Sequence, residues 1–169
     1  MMSEDAFSEV TPKKVRQRVF LVVVDDTKEM GNALHYACRR AQRTGGRLAL
    51  LYVIEPVEFG HWLGVGRIME ADARATAEQR MQKLGAEVFK LTGSMPIIHI
   101  REGKRSDEVV RLVQEDDTIS TLVLATAAGG ADPGPLVTHV TNQLGRKLKI
   151  PLVLIPGELS TDEIDELTH

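Results

Sequence analysis

Continuous apolar runs alternate along this chain with stretches of helical periodicity. The run Val19-Phe20-Leu21-Val22-Val23-Val24 has no polar interruptions, which predicts a strand buried on both faces, as in a parallel sheet. It stops at Asp25-Asp26-Thr27, side chains able to accept the free N–H groups of a following helix. That helix is expected over about residues 28–44, with Ala33, Leu34, Ala37, Cys38 and Ala41 on its apolar face and Gly45-Gly46 as its stop. Residues 48–54 read as a second strand and residues 96–100 as a short third one. Between them, Ile68, Ala71, Ala75, Met81, Leu84, Val88 and Leu91 keep helical spacing, which predicts a long amphipathic helix over residues 67–91.

Ser106 is the expected N-cap of a third helix, with Asp107 and Glu108 in its first turn and Val109, Val110 and Val113 on its buried face. The stretch 121–140 follows: an apolar run from Leu122 to Ala125, then Gly129-Gly130, then Gly134-Pro135 opening a new helix. Its inward face is expected to carry Leu136, Val137, Val140, Leu144 and Leu148. Residues 151–155 form the last strand, and flanking prolines suit a sheet edge. The acidic residues 157–169 form a tail or at most a short docked helix, and polar residues 1–16 form a mobile N-terminal arm.

Strands and helices in this order imply an α/β fold: one doubly wound parallel sheet with helices on both faces. In such sheets ligands bind beyond the strand C-termini, at the point where the strand order reverses. If the first and fourth strands are neighbours, Asp25-Asp26 faces the 126–134 loop across that crevice. A strand, a glycine-rich loop and a helix N-terminus are also the parts of a phosphate cradle, because unpaired N–H groups converge there.

Composition narrows the chemistry. A net charge of -3 over 169 residues argues against nucleic acid as a partner. No apolar run approaches the ~18 residues of a membrane span, and the acidic N-terminus lacks a signal-type apolar region. Cys38 is the lone cysteine, which excludes an intrachain disulfide and suits a cytoplasmic protein. Within its helix it reads as a core thiol. The five histidines show no metal-ligand spacing, and no G-x-S-x-G elbow is present. Asp25 with His139 is the one pairing that could act as a base across the crevice. Phe59, His61 and Trp62 stand in a glycine-punctuated loop after the second strand, where they either pack over the sheet edge or cover a ligand or partner. Lys104 and Arg105, at a strand-to-helix turn, either reach an anion or form a solvated rim.

Taken together, VVVDDTKEM after the first strand, LLYVIEP at the second, the long second helix, and LVLATAAGG through IPLVLIP resemble the universal stress protein family over roughly residues 18–156. The resemblance implies a five-stranded, Rossmann-like sheet in the order 3-2-1-4-5, a cytoplasmic stress-response role, and homodimerisation through the last strand, here Leu152, Val153, Leu154 and Ile155. An unidentified regulatory protein partner is expected, with neither nucleic acid nor membrane. Nucleotide-binding members carry a glycine, two residues, a glycine, nine residues, then Gly-Ser or Gly-Thr. On this chain those positions fall on Thr126, Gly129 and Thr138-His139, so the motif is degenerate. The family's acidic residue corresponds to Asp25 and its second-strand contact to Val53.

Thr126 and Thr138 restore a Cβ where glycine would let the backbone approach phosphate, and Pro135 removes one N–H donor. If Asp26 and Asp132 face the site without cationic partners, they oppose an anion: two unit charges ~6 Å apart interact by roughly 3 kcal/mol at an effective dielectric of 20. A helix N-terminus returns about 0.3–1 kcal/mol at exposed sites. The expectation is therefore a regulatory dimer without strong nucleotide binding or enzymatic activity. The second reading is an ATP-binding switch, in which Gly129, Gly130 and Gly134 supply backbone donors and Thr138 or His139 contacts phosphate. The third is an enzyme of the wider nucleotide α-hydrolase class.

Overall fold

The β1 strand, Val19–Val24, lies at the centre of a five-stranded parallel sheet ordered β3-β2-β1-β4-β5. Its neighbours are β2 (Arg47–Ile54) and β4 (Ile119–Thr126), and the edges are β3 (Ile97–Glu102) and β5 (Leu152–Pro156). The helices are α1 (Met30–Thr44), α2 (Leu63–Thr92), α3 (Arg105–Glu115), α4 (Pro135–Gln143) and α5 (Thr161–Leu167). This computed structural model describes residues 16–56, 63–130 and 132–169. The N-terminal arm up to residue 15 and the loop bearing Phe59, His61 and Trp62 lie outside the described residues.

Every residue of β1 is buried, as its uninterrupted apolar run predicts. Side-chain alternation divides the strand between two cores. Val19, Leu21 and Val23 face Val109, Leu112, Val137 and Val140 of α3 and α4. Phe20, Val22 and Val24 face Ala33, Ala37 and Ala41 of α1, together with Met81 and Val88 of α2. Alanines on that face of α1 let the helix lie close to the sheet.

Four local expectations are corrected. The buried face of α2 is Ala77, Met81, Gly85 and Val88; Ile68, Ala71, Ala75 and Leu91 are exposed. Helical spacing there does not bring contact, since Ile68, Ala71 and Ala75 are on the solvent-facing side of the helix. Next, α4 ends at Gln143, one turn earlier than expected. Leu144 is exposed, and Leu148 reaches the core from a turn closed at Gly145, whose φ of 78° suits glycine.

The caps differ as well. Asp25 Oδ1 accepts from Thr27 N and Oγ1 at 2.9 and 2.5 Å, so it closes its own turn, and α1 begins only after Glu29. Ser106 is not the N-cap of α3. The helix starts at Arg105, whose N–H donates 3.1 Å to Glu55 Oε1, so a carboxylate at the end of β2 caps it. Of the two readings for residues 157–169, a tail or a short docked helix, residues 161–167 take the helix. Ser160 and Glu163 make a reciprocal capping box, and Ile164 is wholly buried in the α1-side core.

Candidate functional site

The strand order reverses between β1 and β4, since β1 connects outward to β2 while β4 lies on its other side. A crevice opens there, beyond the C-terminal strand ends, as it does in other doubly wound sheets. Its walls are Val23 of β1 and Asp25 just after it, Thr27, Glu29 and Met30 leading into α1, Leu124 and Ala125 of β4, and Pro133 to Val137 at the start of α4. Arg105 of α3 closes the remaining side. The enclosed volume is about 110 Å³.

The turn after β1 is held from outside. Arg80 of α2 donates to Asp26 Oδ1 and to the Asp25 carbonyl, each at 2.6 Å. Its guanidinium also lies 5.5 Å from the Tyr52 ring centroid. Asp26 is therefore paired, and its charge is turned toward α2.

Across the crevice, the β4–α4 loop closes on itself. Ala127 N donates to the Pro133 carbonyl at 3.4 Å, and Gly134 N donates to Asp132 Oδ1 at 2.9 Å. Gly129, at φ 72°, donates its N–H to Glu158 Oε1 at 2.7 Å. Gly134, at φ 105°, reverses the chain into α4 with Pro135 in the first turn. These three loop N–H groups all have acceptors within the chain.

Of the residues expected at a nucleotide site, the crevice gathers Asp25 and Gly134. Val53 is 2% exposed, within the core beneath β2. Thr126 pairs with Pro156 in the sheet, and Gly130 lies over the backbone of Asp132. Thr138 Oγ1 donates back to the Gly134 carbonyl at 3.0 Å. His139 Nε2 lies 3.8 Å from Asp107 Oδ1 of α3, so its neighbour is Asp107 rather than Asp25.

Arg105, expected at a strand-to-helix turn either to reach an anion or to form a solvated rim, lines the crevice, while the parts of Glu29 and Glu158 in this region were not singled out by the pattern. Arg105 occupies the first turn of α3, and its Nε is buried without a hydrogen-bond partner among the described residues. Behind it, Glu108 is 5% exposed and is held by Arg101 at 3.6 Å and by Arg111. Hydrogen bonding to Glu115 and the nearby Glu108 charge push the Arg101 pKa up. Burial lowers the pKa of His99 on β3, favouring its neutral form. Among the described residues no group of three His, Cys, Asp or Glu side chains could hold a metal ion, and no helix is long and apolar enough to cross a membrane.

The model of the universal stress protein family matches residues 17–156. No curated protein sequence matches the chain. Among solved structures, the universal stress protein UspA from Lactobacillus plantarum is similar at 18% identity and a TM-score of 0.69, with 83% of this chain and 98% of that one covered. A protein of the same family from Burkholderia pseudomallei has 18% identity and a TM-score of 0.60, covering 82% and 95%. A universal stress protein in complex with cAMP has 13% identity and a TM-score of 0.61, covering 85% and 99%. These similarities concern the fold, while the family model spans most of the chain, from two residues before β1 through the end of β5; the chain belongs to the universal stress protein family.

Proposed function

We propose that the chain is a regulatory stress-response protein of this family. It works as a cytoplasmic homodimer through β5, binds a protein partner, and lacks both strong nucleotide binding and catalysis. The observation that carries the reading is the size of the crevice. Ligand pockets typically enclose about 300–1,000 Å³, against about 110 Å³ here. The dimer edge is supported by the position of β5 at the rim of the sheet, with Leu154 38% exposed and Ile155 turned into the core. The absence of catalysis is supported by the separation of roles between Asp25, which binds Thr27, and His139, which faces Asp107.

Isothermal titration with ATP and AMP tests the nucleotide half; the expected result is no binding in the micromolar range, and micromolar affinity overturns it. Light scattering of the wild type and Leu154→Arg tests the dimer, which is expected to dissociate in the variant.

A second reading, an ATP-binding switch, is favoured by one feature: Arg105 lines the crevice, and its buried Nε has no hydrogen-bond partner among the described residues. In that reading millimolar Mg-ATP raises the melting temperature, and Gly129→Val removes the rise.

A further inference from the structure

β5 ends at Pro156, yet the chain stays against the sheet. A Cβ on Gly157 would lie 2.3 Å from the Thr126 carbonyl oxygen and 3.1 Å from Ala128 N, so two backbones touch where no side chain fits. Glu158 then turns its carboxylate onto the β4–α4 loop and accepts the Gly129 N–H. From the other side, Asn32 Nδ2 donates to the carbonyls of Pro156, Gly157 and Leu159 at 3.3, 3.1 and 3.0 Å. The capping box follows and starts α5, with Ile164 in the core and Asp165 bound by His35 and Arg39.

A glycine N–H in a positive-φ turn of a strand-to-helix loop is suited to an anion; Gly129 stands in such a loop, six residues before α4 starts at Pro135. Here the acceptor is a carboxylate of the same chain, and the bond to it is charge-assisted. Because Glu158 is tethered beside the loop, it competes at a high effective concentration. Glu158 is exposed while Ile164 and Thr168 are buried, so its carboxylate can leave Gly129 without undocking α5.

We propose that residues 157–169 are a self-docked lid in which Glu158 is an internal anion, competing with external polyphosphate for the Gly129 N–H. The inference rests on the reading that strong nucleotide binding is lacking, and it supplies a cause. The segment lies beyond the family match, which ends at residue 156.

The test uses the full chain, wild type against Glu158→Ala and Glu158→Gln, with amide NMR and inorganic pyrophosphate as the probe. The expected result for Glu158→Ala is about ten-fold tighter pyrophosphate binding, the effect of one net hydrogen bond to a charged group, with the Gly129 amide shifting most. Glu158→Gln, which keeps a neutral acceptor, falls between. Without any ligand, Gly129 N–H exchange quickens in Glu158→Ala while the Ile164 amide keeps its wild-type protection. Unchanged Gly129 exchange overturns the lid, and so do equal pyrophosphate affinities, including no binding by any variant. Micromolar ATP binding by the wild type removes the non-binding reading alone if Glu158→Ala binds tighter still; equal tight binding removes both.

Discussion

Arg39 grips Asp165 through two parallel contacts, Nε to Oδ1 at 2.7 Å and Nη2 to Oδ2 at 3.2 Å. His35 Nε2 adds a third contact at 2.7 Å from Oδ1. His35 and Arg39 stand one turn apart on α1, so a single carboxylate of α5 joins two successive turns.

The Asp165 carboxyl is held below the usual carboxylate range, chiefly by the hydrogen bond from Arg39 and next by that from His35. A depressed folded pKa contributes stability that is complete above the unfolded value of about 3.9 and is lost as pH falls through the folded value. Asp165→Asn is therefore expected to lower the melting temperature near neutral pH, with the gap to the wild type closing as the solution is acidified below the carboxylate range. Paired thermal scans across pH check this. A gap that stays constant into strong acid would contradict it.

Gly157 and Gly31 are expected to respond to alanine with opposite signs. At Gly157 the new methyl meets fixed backbone at Thr126 and Ala128, and overpacking of this kind costs about 1–3 kcal/mol. At Gly31, in the first turn of α1, nothing lies within 4 Å of the added Cβ. Alanine there restricts the unfolded chain and stabilises by about 0.4–1 kcal/mol. Urea denaturation of both variants measures the two signs, and a neutral Gly157→Ala would show that Gly157 is not pressed against the backbone of Thr126 and Ala128.

The sheet was legible because its signals are local. A short, unbroken run rich in β-branched residues suits a strand covered on both faces, and that is what Val19–Val24 became. The position of Asp25 and Gly134 at one crevice followed from strand order alone. What stayed hidden depends on partners distant in sequence. The carboxylate capping α3 comes from Glu55, fifty residues before Arg105, and the acceptor for Gly129 comes from Glu158, twenty-nine residues after it. Residue types such as Ser106 and Asp25 have a capping preference, but a preference does not say which competing acceptor arrives first. Ile68, Ala71 and Ala75 failed for a related reason: periodicity identifies a face and not whether anything packs against it.

That distinction within α2 is measurable. Met81 is fully buried between α2 and the sheet, and truncation to alanine at such a site costs about 2–5 kcal/mol. Ile68 is 66% exposed, so Ile68→Ala is expected within about 0.5 kcal/mol of the wild type. Chemical denaturation of the two variants compares them directly. A loss at Ile68 as large as that at Met81 would place the first turns of α2 in the core.

Cys38 is the last test, and it reports on the α1-side core that α5 completes. Burial pushes its thiol up to about 11, against a smaller lowering by the Arg39 charge, and the residue is 1% exposed. At pH 8 a thiol of that pKa is about one-thousandth thiolate, and the thiolate is the reactive form. The folded protein is therefore expected to resist a disulfide-exchange reagent at pH 8 and to release one thiol equivalent in denaturant. Cys38 and Ile164 belong to the same core cluster. Asp165→Asn, which loosens the contact of α5 with α1, is expected to raise the labelling rate, while Ile68→Ala leaves it unchanged. Rapid labelling of the folded wild type would mean that this core opens without unfolding, and equal rates in wild type and Asp165→Asn would mean that α5 does not guard it.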